Sequence, residues 1–498
     1  MKKSMTLTVL CLLFLTIAAY SGNDDSVYSQ SNPNKPNIIF LLTDDQASYS
    51  VGCYGNPDVQ TPHIDSLAED GILFRRHYDS TAICMASRAT IVSGMYEYKH
   101  GCNFSHGPLL EEHWLRSYPI RLRRAGYMTA FAGKIGFEVK LKETGETILP
   151  ENDFDMWGAG PGQTFYETAR NKSMVKYAGE YPHSSRSYGA FGRDFIQMAV
   201  ANRKPFCLSI SFKAPHKPDQ PDPKFDHVYA NKTFQKPANY GREKGLHFSR
   251  QSRQGRQYER FVSWGYRDRY DRAMAVYHQL VYGVDVAVGM IRDAVKKAGI
   301  EDNTVFIFTS DNGFLCGSHG YGSKVLPYQE SSCVPLIVYD PRHPNSRRKI
   351  QCLSITGNID IPPTILALAG LEPTENMDGK NIMSLYNDPN SSIHDHIALM
   401  NVWGPEEVFS FAVVTQDYKY VWWPYGSQGF TPTEELYDMI GDSLELTNIA
   451  LSQKFGRLLG QARETYDRAV ENWKTDAVNY HNYRAYGNAF DRSKIWTP

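Results

Sequence analysis

At 498 residues the chain has room for about three domains of roughly 150 residues, yet no stretch has the composition of a long linker, so one large domain with a smaller appendage is the better reading. With 42% hydrophobic, 13% aromatic and 21% charged residues, it can bury a sizeable core and is not a disordered chain. Lys and Arg total 53 against 54 Asp and Glu, a net charge of −1, which argues against a protein that grips nucleic acid through an overall positive field.

Lys2 and Lys3 precede an apolar run from Leu7 to Ala19, and the small residues Ala18, Ala19, Ser21 and Gly22 close it. That order is the pattern of a secretory signal peptide over residues 1–22. The run is shorter than the roughly 20 residues a spanning helix needs, and no later segment reads as long and apolar enough. The mature protein is therefore expected to be exported, periplasmic or secreted, with no membrane span. Residues 23–35 are polar and read as a flexible lead-in. Cys53, Cys84, Cys102, Cys207, Cys316, Cys333 and Cys352 remain. An odd number in an exported chain asks where the leftover thiol goes, and the spacings match no zinc pattern.

Asn37 to Leu42 (NIIFLL) is an unbroken apolar run ending at Thr43-Asp44-Asp45, the pattern of a buried parallel strand with acids at its C-terminal end. Thr61 caps and Pro62 opens a short helix to about Asp70. An Arg-rich helix near Ile120 precedes a strand from Tyr127 to Ala132, and a helical stretch from about Tyr188 precedes a strand from Phe206 to Phe212. A long helix from about Asp268 to Ala298 carries Tyr277, Leu280, Val284, Val288 and Ile291 on one face. It leads into a strand from Thr304 to Thr309 that ends at Asp311-Asn312-Gly313, then a strand from Pro335 to Tyr339 and a helix from Ile361 to Ala369. This alternation predicts an α/β fold over residues 36–400, a large mostly parallel sheet sandwiched by helices. Ligands in such folds sit at the C-terminal ends of strands. From Phe409 the pattern changes to short antiparallel strands (FAVVTQDYKYVWWP, ELYDMI) and an amphipathic helix from Gln453 to Val470. Residues 401–498 are expected to form a smaller α+β domain with an antiparallel sheet.

Asp44 and Asp45 end one buried strand, and Asp311 and Asn312 another. Each pair alone is an ordinary turn or cap sequence. If the strands are neighbours, three carboxylates and an amide oxygen converge, and a hard divalent cation is the natural way to offset that charge. Ca²⁺ tolerates irregular geometry better than Mg²⁺, so calcium is favoured.

Between these strand ends lies Cys84-Met85-Ala86-Ser87-Arg88, followed by ATIVSGMYEYKHG. This stretch resembles the signature of the type I, formylglycine-dependent sulfatases of the alkaline phosphatase-like superfamily. Phe131-Ala132-Gly133-Lys134, Lys213 to Pro218, Phe308 to Gly313, Gly317-Ser318-His319-Gly320 with Lys324, and Glu435 to Asp438 fit the same family. The resemblance implies that Cys84 is oxidised by a formylglycine-generating maturation enzyme to 3-oxoalanine (Cα-formylglycine), whose hydrated aldehyde is the nucleophile. It implies that Asp44, Asp45, Asp311 and Asn312 bind calcium, with residue 84 also touching the metal. Arg88 and Lys134 would hold the formylglycine oxygens, and His216 and Lys324 would grip the sulfate and help the leaving oxygen depart. The substrate so implied is a sulfated carbohydrate.

The chemistry suits these residue types. A sulfate ester is a monoanion, and its hydrolysis needs a positive cradle, an in-line nucleophile and a proton for the leaving oxygen. Amides at Ala86 to Arg88, at a helix N-terminus, would add support. One position departs from the family: many relatives place a histidine two residues after the lysine, where this chain has Gly136. Glu138, His100, His106 and His319 are the candidates to replace it. Two other readings stay open, a phosphate or phosphonate monoester hydrolase of the same superfamily and a non-catalytic protein that binds sulfated glycans. Gln220 to Tyr270, rich in Arg, Lys, Tyr and His, is either a contact for neighbouring anionic sugars or a solvated basic insert.

Overall fold

The computed structural model describes residues 35–496, so the expected signal peptide and all but Lys35 of the lead-in lie outside the described residues. The main sheet is built from β1 (Asn37–Thr43), β2 (Ile72–Tyr78), β3 (Met128–Lys134), β4 (Met156–Gly160), β5 (Phe206–Ser211), β6 (Thr304–Ser310), β7 (Cys333–Tyr339), β8 (Ile350–Cys352) and β9 (Thr356–Gly357). Their order is β8-β2-β7-β6-β1-β5-β3-β4, with β9 also on β2. Every pairing is parallel except those of β7, which runs antiparallel to β2 and β6. The expected α/β architecture is the one observed.

β1 reads as an unbroken apolar run because both of its faces are covered. Ile38, Phe40 and Leu42 join one core cluster, with residues of helices α2 (Cys84–Ser93), α3 (Tyr118–Arg124) and α6 (Ile361–Leu368). Ile39 and Leu41 join the other, with α1 (Pro62–Asp70), α4 (Ser184–Ala201) and α5 (Tyr270–Lys297). Burying each such side chain contributes about 1.5–3 kcal/mol. α5 is long and apolar enough to cross a membrane, contrary to the expectation that no such segment exists, but 72% of its apolar window is buried inside the fold. Its Asp285 accepts the Ile64 N–H at 2.8 Å, a contact of a core helix. Helix α1 begins at Pro62 as expected, but the Thr61 side chain makes no cap bond. It donates instead to Asp65 Oδ1 at 3.0 Å.

Strands β10 (Ile397–Asn401), β11 (Ser410–Val414), β12 (Tyr418–Trp423) and β13 (Thr433–Asp438) form an antiparallel meander that begins ahead of the expected boundary at 401. One face carries helix α7 (Gly456–Asp476) through Tyr466, Ala469, Val470 and Trp473. The other packs on the main domain, where Val421, Trp423 and Tyr437 meet Tyr328, Ile355 and Ile359. Lys419 pins this junction: its Nζ pairs with Glu445 Oε1 at 2.6 Å and donates to Pro327 O at 3.0 Å, deep in the interface. Lys419→Met would leave Glu445 buried without its cation, and removing one member of such a pair costs about 3–5 kcal/mol. Urea unfolding of the variant should show a loss of that size.

None of the described cysteines is in a disulfide, and all but Cys53 are buried. The odd count therefore needs no explanation by pairing; Cys102 and Cys207, for example, pack as small apolar side chains in the core.

Candidate active site

β1 and β6 are parallel neighbours in register Thr43↔Ser310, and β5 ends level with them through Leu42↔Ser211. The four residues Asp44, Asp45, Asp311 and Asn312 therefore leave the sheet at one point, as the sequence pattern requires if calcium is to be held. Asp45 takes a left-handed backbone, φ 68°, a conformation an aspartate tolerates better than most residues. It is held there by its N–H donating to Asp311 Oδ1 at 3.2 Å and by Tyr277 Oη donating to its carbonyl at 2.8 Å.

Cys84 is the first residue of α2, with Ile83 as the cap. Its Sγ lies 3.3 Å from Asp44 Oδ1 and accepts from Lys324 Nζ. Ser87 N–H is already bonded to Ile83 O at 2.9 Å. The amides expected at Ala86 to Arg88 are thus partly spent, and the free N–H groups at this helix start are those of the first turn, Cys84 to Ala86. Lys134, the last residue of β3, pairs with Asp44 Oδ2 at 2.6 Å. Arg88 Nε donates to Asp311 Oδ2 at 2.7 Å, and its Nη1 donates to Lys134 O at 2.6 Å and to Ser211 Oγ. Arg88 Nη2 is buried with no hydrogen-bond partner, 3.8 Å from Asp44 Oδ2. His216 Nδ1 meets Lys217 O, which assigns the proton there and turns Nε2 toward Asp45 Oδ2, 3.8 Å away. Lys324 Nζ is bonded to Asp45 Oδ1. The structure brings Asp44, Asp45, Cys84, Arg88, Lys134, His216, Asp311, Asn312 and Lys324 together.

Three carboxylates face three cationic side chains here, so the side chains alone come close to neutral. Burial works against ionising Asp44, yet Lys134, His216, Arg88 and Lys324 outweigh it and hold that carboxyl well below its usual range. Burial, with the charge of Asp44 added, keeps Asp311 above its usual range despite Arg88. Burial pulls His216 down to about 4 and pushes the Cys84 thiol up to about 12. Lys324 stays firmly cationic: Asp45 and its neighbours overcome its burial. A thiol so poorly ionised is a weak nucleophile. The donor set fits a divalent cation. Asp44, Asp45, Cys84 and His216 each offer a ligand atom within 4.8 Å of the others. Asn312 Oδ1 is a buried acceptor with no partner, while its amide nitrogen donates to Asp45 Oδ1 at 2.7 Å. Carboxylate and amide oxygens are what a hard cation takes.

The sequence matches the Sulfatase family model over residues 36–371. The chain belongs to the sulfatase family. A second match, to the C-terminal region of N-sulphoglucosamine sulphohydrolase, spans residues 317–472. This sulfatase is 25% identical to an N-acetylglucosamine-6-O-sulfatase of Bacteroides thetaiotaomicron, over 93% of this chain and 91% of that one. Its fold matches that of a protein solved in complex with its substrate D-glucosamine-2-N,6-O-disulfate, with a TM-score of 0.74, 23% identity and 89% and 98% of the two chains covered. The phosphonate monoester hydrolase of Agrobacterium radiobacter shares the fold at a TM-score of 0.67, with 20% identity over 86% and 94% of the chains. The architecture therefore hosts both chemistries, and the family match identifies this one as a sulfuric ester hydrolase.

The sulfatase leaves Gly136 beside Arg88: φ is +87°, and a Cβ there would lie 2.4 Å from Arg88 Cδ. None of the expected substitutes for the missing histidine is found among the groups that surround Cys84. Glu138 is exposed to solvent. His100 is bound to Thr90 Oγ1 at 3.1 Å and to Cys102 N. His106 packs among His481, Tyr483 and Tyr486. His319 is held by Asn239 and by Lys244 O at the junction with the C-terminal domain. Sequence reasoning passed over Lys213, buried with its Nζ on Gln163 O at 3.2 Å and over the Tyr166 ring. Burial lowers its pKa, and Asp44 pulls the other way. It also passed over Ser87, which bonds Asp311 O and accepts from Asn358 Nδ2 at 3.0 Å. A cleft of about 620 Å³ opens above Asp45, His216 and Lys324, walled by Phe104, Arg256, Arg260, Trp264 and Trp403.

Proposed function

We propose that this sulfatase removes sulfate from carbohydrate esters, using formylglycine made from Cys84 by a maturation enzyme and a calcium ion held by Asp44, Asp45, Asp311 and Asn312 together with residue 84. The observation that carries the reading is the position of Cys84, buried at a helix start with its Sγ against Asp44 Oδ1 and Lys324 Nζ, the lysine itself lining an open cleft. The sulfated sugars acted on by relatives support the substrate class. The charged, apolar and small-residue order of residues 2–22 supports export.

The chain's own groups divide the work. Arg88, tied to Asp311 and Lys134 O, keeps Nη2 free to hold an oxygen on residue 84. Lys134 neutralises Asp44 and fixes the floor from below. Lys324 faces the cleft as a lasting cation, placed to hold a sulfuryl oxygen and to give a proton to the departing sugar oxygen. His216, its ring fixed by Lys217 O, presents Nε2 to the same space, where a bound anion favours its protonation. Bound calcium supplies positive charge at the sulfuryl oxygens. A hydrated aldehyde at residue 84 would supply an oxygen nucleophile and a second hydroxyl on the same carbon.

Sulfate release from a panel of defined sulfated mono- and disaccharides tests the proposal, with nitrophenyl sulfate and nitrophenyl phosphate as a matched pair. Faster turnover of the phosphate, or no sulfate release from any saccharide, overturns it. Dialysis against a chelator should lower sulfate release at least about tenfold and lower the unfolding temperature, because an ion that binds only the native state stabilises it. Added Ca²⁺ should restore both, and restoration by Mg²⁺ alone would count against calcium.

A further inference from the structure

We infer that Arg256 and Arg260 form a second anion subsite beside the reaction centre, so that the preferred substrate carries another oxyanion, a sulfate or a carboxylate, close to the ester that is cleaved. This deepens the reading of the chain as a carbohydrate sulfatase and rests on it.

Both arginines lie on the helix Arg256–Ser263, four residues apart and so on one face of it. Like charges at that spacing weaken a helix. Among the described residues, no carboxylate comes within the 4.0 Å of an ion pair with either side chain. Asp45 is the carboxylate whose charge acts on both, and Arg256 also acts on Arg260. Their basic neighbours are different: Arg267 is paired with Asp268, and Lys217 with Asp219. Arg256 and Arg260 instead line the cleft that holds Lys324 and His216.

Both guanidinium groups also lie over aromatic rings. Arg256 lies over the ring of Trp403, 4.4 Å from its centroid, and Arg260 over Trp264 at 4.2 Å. Stacking uses the face of a guanidinium and leaves its N–H edge free to grip an oxyanion with two parallel bonds. Arg260 Nη1 donates to Ser323 Oγ at 2.8 Å, next to Lys324. Their helix sits directly on the loop that carries Lys324: Gly322 N–H donates to Gln257 O at 2.9 Å, and a Cβ on Gly322 would lie 2.9 Å from the Arg260 carbonyl carbon. The spacing between the two anion positions is therefore built into the fold. Burial and the nearby Arg256 charge pull Arg260 down to about 10, a cost that a bound anion relieves.

The test uses the mature enzyme and its Arg256→Gln/Arg260→Gln variant. The probes are N-acetylglucosamine 6-sulfate, glucosamine 2-N,6-O-disulfate, and an N-acetylglucosamine 6-sulfate linked to a uronic acid. The readout is the ratio of kcat/KM for each dianionic probe to that for the monoanionic one. The same ratio of affinities is measured by calorimetry in Cys84→Ala protein, which needs no turnover. The native chain should favour a dianionic probe at least tenfold, and the double variant should lose about tenfold to a hundredfold of that preference, the scale of one or two charge-assisted hydrogen bonds. Arg256→Lys/Arg260→Lys, which keeps the charge and loses the fork, should fall between. Whichever dianionic probe gains tells whether sulfate or carboxylate is the partner. A native protein with no preference, or a preference untouched in the double variant, overturns the subsite. Preference in binding without sulfate release leaves the subsite standing and overturns the sulfatase reading of the cleft.

Discussion

Cys84→Ala protein should fold as the native chain does and release sulfate at least about 10⁴-fold more slowly, the scale on which covalent catalysis depends on its nucleophile. The residue starts a helix and is 2% exposed. Alanine keeps its backbone and Cβ, while the Sγ contacts to Asp44 and Lys324 are lost. Lys324 still pairs with Asp45, and Lys134 with Asp44, so no charge is orphaned and the stability change should stay within about 1–2 kcal/mol. Thermal unfolding checks the first half of the expectation, and a sulfate-release assay the second. Mass spectrometry of the native Cys84 peptide is the companion measurement, which should show the aldehyde in place of the thiol. Cys84→Ser protein should take up one sulfate at most and stop, because it lacks the second hydroxyl. Turnover near the native level in the alanine variant, or an unmodified thiol in fully active enzyme, would sink the assignment.

Much of this site was legible because its signals are local. Asp44, Asp45, Asp311 and Asn312 each follow a short apolar run, and such runs become central strands whose C-terminal ends meet at one edge. Cys84 and Arg88 lie four apart, which puts both on one face of a helix. β2 and β4 were harder to see. In β2, Arg75 and Arg76 interrupt the apolar run, and they reach half-exposed positions where one donates to Tyr54 O and the other to Thr415 O and Gln416 O. β4 (MWGAG) has two glycines, and a Cβ at Gly158 would meet Phe191 at 2.6 Å, so close packing and not strand propensity sets that sequence. The expected stand-ins for the missing histidine failed for a related reason. Distance along the chain placed Glu138 nearest to Gly136, but the residue is on solvent. Charge alone marked the Gln220 to Tyr270 insert, and only the folded chain shows that Arg256 and Arg260 are the cations of it that line the cleft.

Restoring histidine at position 136 should damage the enzyme. The backbone there has φ +87°, and a Cβ would stand 2.4 Å from Arg88 Cδ and 3.3 Å from its Nε. Left-handed backbone in a residue with a Cβ costs about 1–3 kcal/mol, and forcing extra atoms into a packed site costs about 1–3 kcal/mol more. Gly136→His should therefore lose about 2–6 kcal/mol of stability by urea unfolding. The catalytic loss should be larger, because the side chain that must yield is Arg88. Moving it loosens the bond to Asp311 at 2.7 Å and the bond to Lys134 O at 2.6 Å. Those contacts set one wall of the proposed ion site and the end of the strand that bears Lys134. A misplacement of about 1 Å in such a site costs about 10²-fold in rate. Gly136→Ala separates strain from chemistry, since it adds the Cβ without an imidazole and should show a similar loss. If the histidine variant instead gains activity while the alanine variant loses it, Arg88 can move aside and an imidazole does act there. Glycine would then be a defect of this chain. The contacts of Arg88 argue the reverse: the arginine fills the space next to position 136, and the glycine is what lets it do so.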